Sequence, residues 1–326
     1  MTLATADFDY ALPDELIAAY PPPQRPDARM MVLDRATGRT SHARFTDFPS
    51  FLRPGDLCLF NDTKVVPARF FSDDGRIELL WLEEPSPGLW RCLVKPGKRM
   101  RPGATVTVGG ATGTVEAVVE DGARLVRWDR PVDHGASGKL ALPPYIGREE
   151  EPADRERYQT VFARHEGSVA APTAGLHFTS NLLERLPHAF VTLHVGVGTF
   201  RPVKAENLAD HEMHAERFEV TPETAAAVNA ARRVVAVGTT TVRVLESVCA
   251  GGGPFTAGAG RTDIFIHPPY RFQRTGALLT NFHLPKSTLL MLVCALAGRE
   301  FVLEAYRQAV AERYRFFSYG DCMLVV

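Results

Sequence analysis

The sequence predicts an α/β protein whose main domain is interrupted by a small β-barrel. From Glu149 onward apolar strands and helices alternate, the pattern of an α/β sheet. From Ala68 to about Gly147 no long helical period appears, and short β-type runs are separated by Gly, Pro and Asp turns. Strands that would complete the α/β sheet lie on both sides of that stretch. The expected division is therefore a discontinuous α/β domain, 1–67 and 149–326, with a β-barrel domain, 68–148, inserted in it. A chain of 326 residues is long enough for both.

Taken in order, Leu12-Pro13-Asp14 opens a short helix, and Met30–Leu33 and Leu57–Phe60 read as apolar strands joined by turns at Thr37-Gly38 and Arg53-Pro54-Gly55. The barrel strands are expected at Ile77–Leu82, Leu89–Val94, Thr105–Val108, Thr114–Val119 and Leu125–Trp128. In the second α/β stretch Val191–Val197 is a strand, and Thr221-Pro222-Glu223 starts a helix with Thr as cap and Pro at the first helical position. Val234–Val237 is a buried strand, Gly238-Thr239-Thr240-Thr241 a polar loop leading into an apolar helix to Cys249, and Ile264–Ile266 a further strand. The stretch from Thr280 to Thr288 then crowds an amide, an imidazole, an ammonium and hydroxyls in front of the apolar helix that starts at Leu289. Folding asks for one cap there, Ser287 or Thr288; the rest is a surplus that suits a ligand at a helix entrance.

Composition excludes several classes. Hydrophobic residues at 45% and charged residues at 23% indicate a packed, water-soluble chain. The longest apolar run ends at Gly298-Arg299-Glu300, well short of a membrane span. Met1 to Tyr10 carries Asp7 and Asp9 and no basic leader, so a cytoplasmic protein is expected. Cys58, Cys92, Cys249, Cys294 and Cys322 have no C-x-x-C spacing and read as core thiols, which leaves no disulfide framework or structural zinc. A net charge of −1 gives no global attraction to nucleic acid, so an RNA contact must rest on a local patch. Lys95, Lys98, Arg99 and Arg101 around Pro96-Gly97 form the one candidate patch.

Five polar clusters sit beside apolar elements: Asn61-Asp62-Thr63-Lys64, Pro172 to Phe178, His194 to Phe200, Gly238 to Arg243, and the Asn281/His283/Lys286 set. Together they supply carboxylate, imidazole, hydroxyl, amide and cation, a kit for proton transfer and anion binding in one cleft. His211 and His214 are spaced i and i+3, whereas a zincin helix needs i and i+4, so no metal is expected. No dinucleotide fingerprint, phosphate-binding P-loop or nucleophile elbow is present. Acid/base chemistry without covalent or metal help remains.

At these clusters the chain resembles the S-adenosylmethionine:tRNA ribosyltransferase-isomerases of queuosine biosynthesis, nearly end to end. The resemblance runs through Phe8-Asp9-Tyr10 and Phe60-Asn61-Asp62-Thr63, then Val94 to Arg99, Leu142-Pro143-Pro144-Tyr145-Ile146 and Arg155 to Val161. It continues through Pro172 to Phe178, His194 to Phe200, Gly238-Thr239-Thr240 with Arg243 and Glu246, Thr262 to Ile266, Thr280 to Val293, and Tyr314 to Asp321. Departures are few: Lys64 stands for arginine, Ala215 for serine, Pro269 for glycine and Cys322 for alanine.

The resemblance implies transfer and isomerisation of the ribosyl part of S-adenosylmethionine onto 7-aminomethyl-7-deazaguanine at the tRNA wobble position. Epoxyqueuosine tRNA forms, and adenine and methionine leave. S-adenosylmethionine is then a consumed cosubstrate, no cofactor is permanently bound, and the partner is a tRNA with a queuosine-type anticodon; a monomer is expected. His177 is the expected base, titrating near neutral pH, with Asp62 and Glu246 to steady the sulfonium or handle a proton. Asn61, Thr63, Thr173, Gly175, Thr199, Arg243, Asn281, His283 and Lys286 are expected to hold the cosubstrate, and Lys95, Lys98, Arg99 and Arg101 the RNA. Two other readings are kept beside this one: a metal-dependent hydrolase using His211, His214 and Glu216, and a noncatalytic RNA-binding protein.

Overall fold

The computed structural model describes residues 3–196, 198, 203 and 205–326. Its centre is a nine-stranded mixed sheet in the order Gly258–Thr262, Glu216–Val220, His188–Leu193, Asp56–Asn61, Arg233–Val237, Thr275–Asn281, Cys322–Val325, Arg29–Asp34, Arg39–Arg44. The four strands in the middle, from His188–Leu193 to Thr275–Asn281, run parallel to one another. Their carboxyl ends therefore open on one edge, the usual ligand edge of an α/β sheet.

Burial on both faces explains the apolar runs. In Asp56–Asn61 every residue is buried, with Leu57 and Leu59 on one face and Cys58 and Phe60 on the other, as the two-residue period of a strand requires. Leu59 joins a core with helices Thr239–Val248, Thr288–Ala297 and Arg299–Ala311; Phe60 joins one built from Phe45, Phe48 and Phe178. All five cysteines are free and buried. Among the described residues no helix is long and apolar enough to cross a membrane.

A second sheet of seven antiparallel strands is ordered Gly138–Lys139, Arg69–Phe71, Glu78–Ser86, Leu89–Lys95, Arg124–Trp128, Ala111–Val118, Thr105–Val108. It has its own core of Phe70, Leu79, Trp81, Trp90, Val126 and Trp128. Its two ends are drawn together by Asp73, whose N–H donates to the Thr107 carbonyl at 2.8 Å while its carboxylate accepts from the Gly109 and Gly110 amides. The sheet curls, yet among the described residues its edge strands are not zipped by a ladder.

Several expected elements move. The helix after Pro13 is one 3-10 turn, Asp14–Leu16. The strand expected at Val191–Val197 runs His188–Leu193 instead, with Val197 outside the described residues. Ile264–Ile266 forms no strand; the partner of Glu216–Val220 is Gly258–Thr262, just before it. The polar pair Thr280-Asn281 belongs to the end of strand Thr275–Asn281, not to a loop, because Ala277-Leu278-Leu279 is buried between Arg233–Val237 and Cys322–Val325. The expected cap is found: Ser287 accepts from the Leu290 amide at 3.2 Å.

Candidate active site

At the carboxyl ends of Arg233–Val237 and Thr275–Asn281 lies a small cavity of 70 Å³, lined among others by Thr173, Gly238, Thr239, Thr240, Asn281 and His283. Gly238 ends its strand at φ 91°, a conformation that favours glycine, and is the N-cap of helix Thr239–Val248 without offering a side chain to it. Tyr145, Phe317 and Ser318 also line it, with the Tyr145 hydroxyl 2.7 Å from Ser318 Oγ.

Asn281 is held through its amide nitrogen. Its Nδ2 donates to the Phe317 carbonyl at 3.0 Å and lies 3.4 Å from His177 Nε2, while its buried Oδ1 has no partner. Phe317 is a non-glycine residue at φ 71°, a strained geometry that aims its carbonyl at this amide. His283 is also fixed: its N–H donates to the Tyr306 hydroxyl, its carbonyl accepts from Tyr10, and its Nε2 lies 2.8 Å from Thr280 Oγ1.

His177 corrects the expectation of a group titrating near neutrality. It is buried behind Asn281 at the end of the 3-10 turn Thr173–His177, with its ring 5.3 Å from that of Phe45. Burial disfavours the imidazolium and lowers its pKa to about 4; burial alone takes His283 to about 3. Both are neutral imidazoles at pH 7.

Other expected ligand residues are committed to the fold. Asn61 ties its strand to the next, donating to the Leu193 carbonyl at 2.9 Å and accepting from the Thr63 and Leu193 amides. Gly175 is a packing glycine, since a Cβ there would meet Phe162 at 2.8 Å and Thr160 at 2.9 Å. Arg243 is buried in an ion pair with Glu216 and donates to the Thr262 carbonyl. Lys286 reaches away to Asp9, 2.7 Å from its carboxylate. Glu246 is fully buried near the amino end of strand Thr275–Asn281, where its carboxylate accepts from the amides of Gln273, Arg274 and Thr275 and from the Thr275 hydroxyl. That is the end of the strand opposite the cavity. Thr199 lies outside the described residues.

Asp62 belongs to a second group. Its carboxylate accepts from Thr192 Oγ1 at 2.7 Å and stands 3.6 Å from His165 Nε2, and burial raises its pKa. Next to it Thr63 Oγ1 meets His194 Nδ1 at 2.8 Å. His194 lines a further cavity of 90 Å³ between the two sheets, with Glu83 and Arg91 on one side and Glu216 and Arg217 on the other. Val195 lines both cavities, so the two are neighbours.

Lys95, Lys98, Arg99 and Arg101 are all exposed, Lys95 at the end of strand Leu89–Lys95 and the other three just after it. Among the described residues none of them forms a salt bridge, although Arg99 is near enough to Asp74 to help lower its pKa. The turn is fastened from below by Arg124, which donates to the carbonyls of Gly97 and Met100. The His211, His214 and Glu216 trio is not assembled as a ligand set: Glu216 is taken by Arg243 and the Gly196 amide, and His211 packs against Phe265. Among the described residues no three His, Cys, Asp or Glu side chains are grouped as metal ligands.

A family model described as queuosine biosynthesis protein matches residues 5–325. The chain belongs to that family. It is 51% identical to the S-adenosylmethionine:tRNA ribosyltransferase-isomerase of Anaeromyxobacter sp. (strain Fw109-5), over 98% of this chain and 98% of that protein. It is 49% identical to the protein of the same name from Trichlorobacter lovleyi, over 98% and 99% of the two. The crystal structure of S-adenosylmethionine tRNA ribosyltransferase from Thermotoga maritima is 37% identical and gives a TM-score of 0.57, over 98% of this chain and 100% of that one. As a member of the queuosine biosynthesis family the chain is an enzyme, a ribosyltransferase-isomerase acting with S-adenosylmethionine and tRNA.

Within that family frame, sequence reasoning passed over Tyr145, Tyr158, Phe317 and Ser318 as cavity residues. The signal available was their place in polar-aromatic segments, Leu142 to Ile146, Arg155 to Val161 and Tyr314 to Asp321, that carry the family resemblance.

Proposed function

We propose that the chain binds S-adenosylmethionine at the carboxyl ends of its parallel strands and transfers the ribosyl moiety, with isomerisation, to 7-aminomethyl-7-deazaguanine at the wobble position of tRNA. A base takes a proton from the carbon beside the sulfonium, whose positive charge acidifies it. Adenine departs with a proton, methionine leaves, and the ribosyl carbons end as a cyclopentane epoxide on the aminomethyl nitrogen, giving epoxyqueuosine tRNA. The observation that carries this reading is a cavity at the ligand edge of the sheet, with Thr173, Thr239, Thr240, Asn281 and His283 among its lining, in a chain of this family.

His177 is the proposed base: it is neutral at pH 7, and its 3.4 Å contact to Asn281 is long enough to yield to substrate. Asp62, with its pKa raised by burial, is proposed to handle the proton of the departing adenine. Thr173, Asn281 and His283 line the cavity and are proposed to hold the cosubstrate; Thr63 faces the neighbouring cavity through His194. Lys95, Lys98, Arg99 and Arg101 are proposed to grip the anticodon arm by its phosphates.

The same reading divides the chain into a discontinuous α/β domain, 1–67 and 149–326, and an inserted domain, 68–148. The separate core of the seven-stranded sheet supports that division. A monomer working in the cytoplasm completes the proposal. The test is incubation with S-adenosylmethionine and tRNA carrying the modified base, with adenine release as readout. Release is expected with both present and with neither alone; His177→Ala with near wild-type turnover and normal tRNA binding would remove the base assignment.

A further inference from the structure

The cavity beside Gly238 offers two unmet demands of opposite kind. Helix Thr239–Val248 is ten residues long, and its N-cap, Gly238, has no side chain to receive the first amides. Among the described residues the N–H groups of Thr239, Thr240 and Thr241 find no acceptor. Such an end carries partial positive charge and asks for an anion. Beside this helix end Asn281 presents the reverse. Its Nδ2 is engaged by Phe317 and His177, and Oδ1, on a residue 2% exposed, has no donor. A buried carbonyl left in that state costs free energy until a donor arrives.

The two demands are close neighbours. Strands Arg233–Val237 and Thr275–Asn281 are adjacent and parallel, with Val237 opposite Leu279, so Asn281 stands next to the turn into the helix. Both line the same 70 Å³ space, which has room for a small charged head and none for a nucleoside, whose sites measure roughly 300 Å³ or more.

We infer that this cavity receives the amino-acid end of S-adenosylmethionine, the carboxylate on the free amides of Thr239 and Thr240 and the ammonium on Asn281 Oδ1. The inference rests on the proposed use of S-adenosylmethionine and assigns one end of it. A phosphodiester would meet the helix end equally well, but it has no donor for Asn281 and would set its anionic oxygens against the negative end of that carbonyl. A zwitterion satisfies both sides at once. The Thr239 and Thr240 hydroxyls, which also line the cavity, add donors on the carboxylate side. The nucleoside then lies outside this space, toward the neighbouring cavity that shares Val195.

Calorimetric binding without tRNA separates the two ends, using S-adenosylmethionine, its decarboxylated form, and 5′-dimethylsulfonioadenosine, which lacks the whole amino-acid end. Two variants probe the two sides of the cavity. Thr239→Pro deletes one amide and one hydroxyl at a position where proline is tolerated, the preceding Gly238 being extended at ψ 150°. Asn281→Ala deletes the acceptor. In the wild-type protein, decarboxylation is expected to weaken binding about tenfold, the usual effect of removing a charge-assisted hydrogen bond. Thr239→Pro should weaken S-adenosylmethionine alone, and Asn281→Ala should weaken S-adenosylmethionine and its decarboxylated form but not 5′-dimethylsulfonioadenosine. Equal wild-type affinity for all three ligands, or variants that weaken all three alike while their circular dichroism and melting match the parent, would overturn the assignment and leave the family reaction standing. Failure of every adenosyl ligand to bind the wild-type protein would instead overturn the proposed use of S-adenosylmethionine here, and this assignment with it.

Discussion

His177 stands directly behind Asn281, its Nε2 3.4 Å from the Asn281 amide nitrogen and its own pKa held near 4 by burial. One buried imidazole thus positions the amide that faces the cavity, and it does so only while neutral. Protonation would turn Nε2 from acceptor to donor and set it against the Asn281 amide.

This arrangement gives the fold a pH dependence of defined sign. In the unfolded chain His177 titrates near 6.5, and in the folded protein near 4, so between these values the unfolded chain binds more protons. The stabilisation is fully present above about pH 6.5 and is lost as the pH falls toward 4; His283, lowered to about 3, adds to the same trend. The urea midpoint of the wild-type protein should drop between pH 7 and pH 5, and His177→Gln should flatten that drop. Parallel curves for the two proteins would count against the buried, neutral histidine.

Glu246→Gln separates a structural carboxylate from a catalytic one. The side chain collects three amides and the hydroxyls of Thr275 and Tyr270, and an amide in its place turns a donor toward those donors. A loss of about 1–3 kcal/mol in stability is expected, with kcat of the folded enzyme unchanged. A catalytic proton carrier would instead lose roughly 10²-fold or more in kcat.

Arg243→Met should destabilise the protein by about 3–5 kcal/mol, because it strands Glu216 without its buried cation. Adding Glu216→Gln to it should recover part of the loss. Urea unfolding of the two variants reads this directly; a single variant as stable as wild type would show that the pair contributes little.

The exposed turn predicts a salt effect on tRNA binding. Lys98→Ala with Arg99→Ala should reduce the slope of log affinity against log salt by roughly one unit for each phosphate that is no longer neutralised. The double variant should bind S-adenosylmethionine with wild-type affinity, since neither residue lines either cavity by the strand ends. An unchanged slope would move the RNA-binding surface elsewhere.

The alternation of strand and helix after Glu149, the separate β stretch before it and the polar strand ends were all legible, because each follows from residue periodicity and turn chemistry. Assigning work to individual polar residues was harder. Asn61, Arg243 and Glu246 have side chains fit for a ligand, and the chain spends them on its own carbonyls, carboxylates and amides. Nothing in residue type distinguishes those uses; only partners distant in sequence do. Thr280-Asn281 misled for the opposite reason, since polar residues closing a buried strand look like a loop until the neighbouring strands are in place. Gly238 was visible as a break between strand and helix, but the unmet amides behind it appear only when the helix has formed.

The beginning of the chain is a splint for the far end of the cavity. The Phe8 carbonyl accepts from the Lys286 amide, Asp9 takes the Lys286 ammonium, and the Tyr10 hydroxyl donates to the His283 carbonyl at 2.5 Å. Residues nearly three hundred positions apart therefore set one backbone path, with Lys286 held at a φ of 58°. A tag fused close to Phe8, or a chain trimmed past it, alters the floor under His283 while leaving every residue of the cavity in the sequence. Preparations that differ only at their first ten residues should therefore differ in the backbone path from His283 to Lys286.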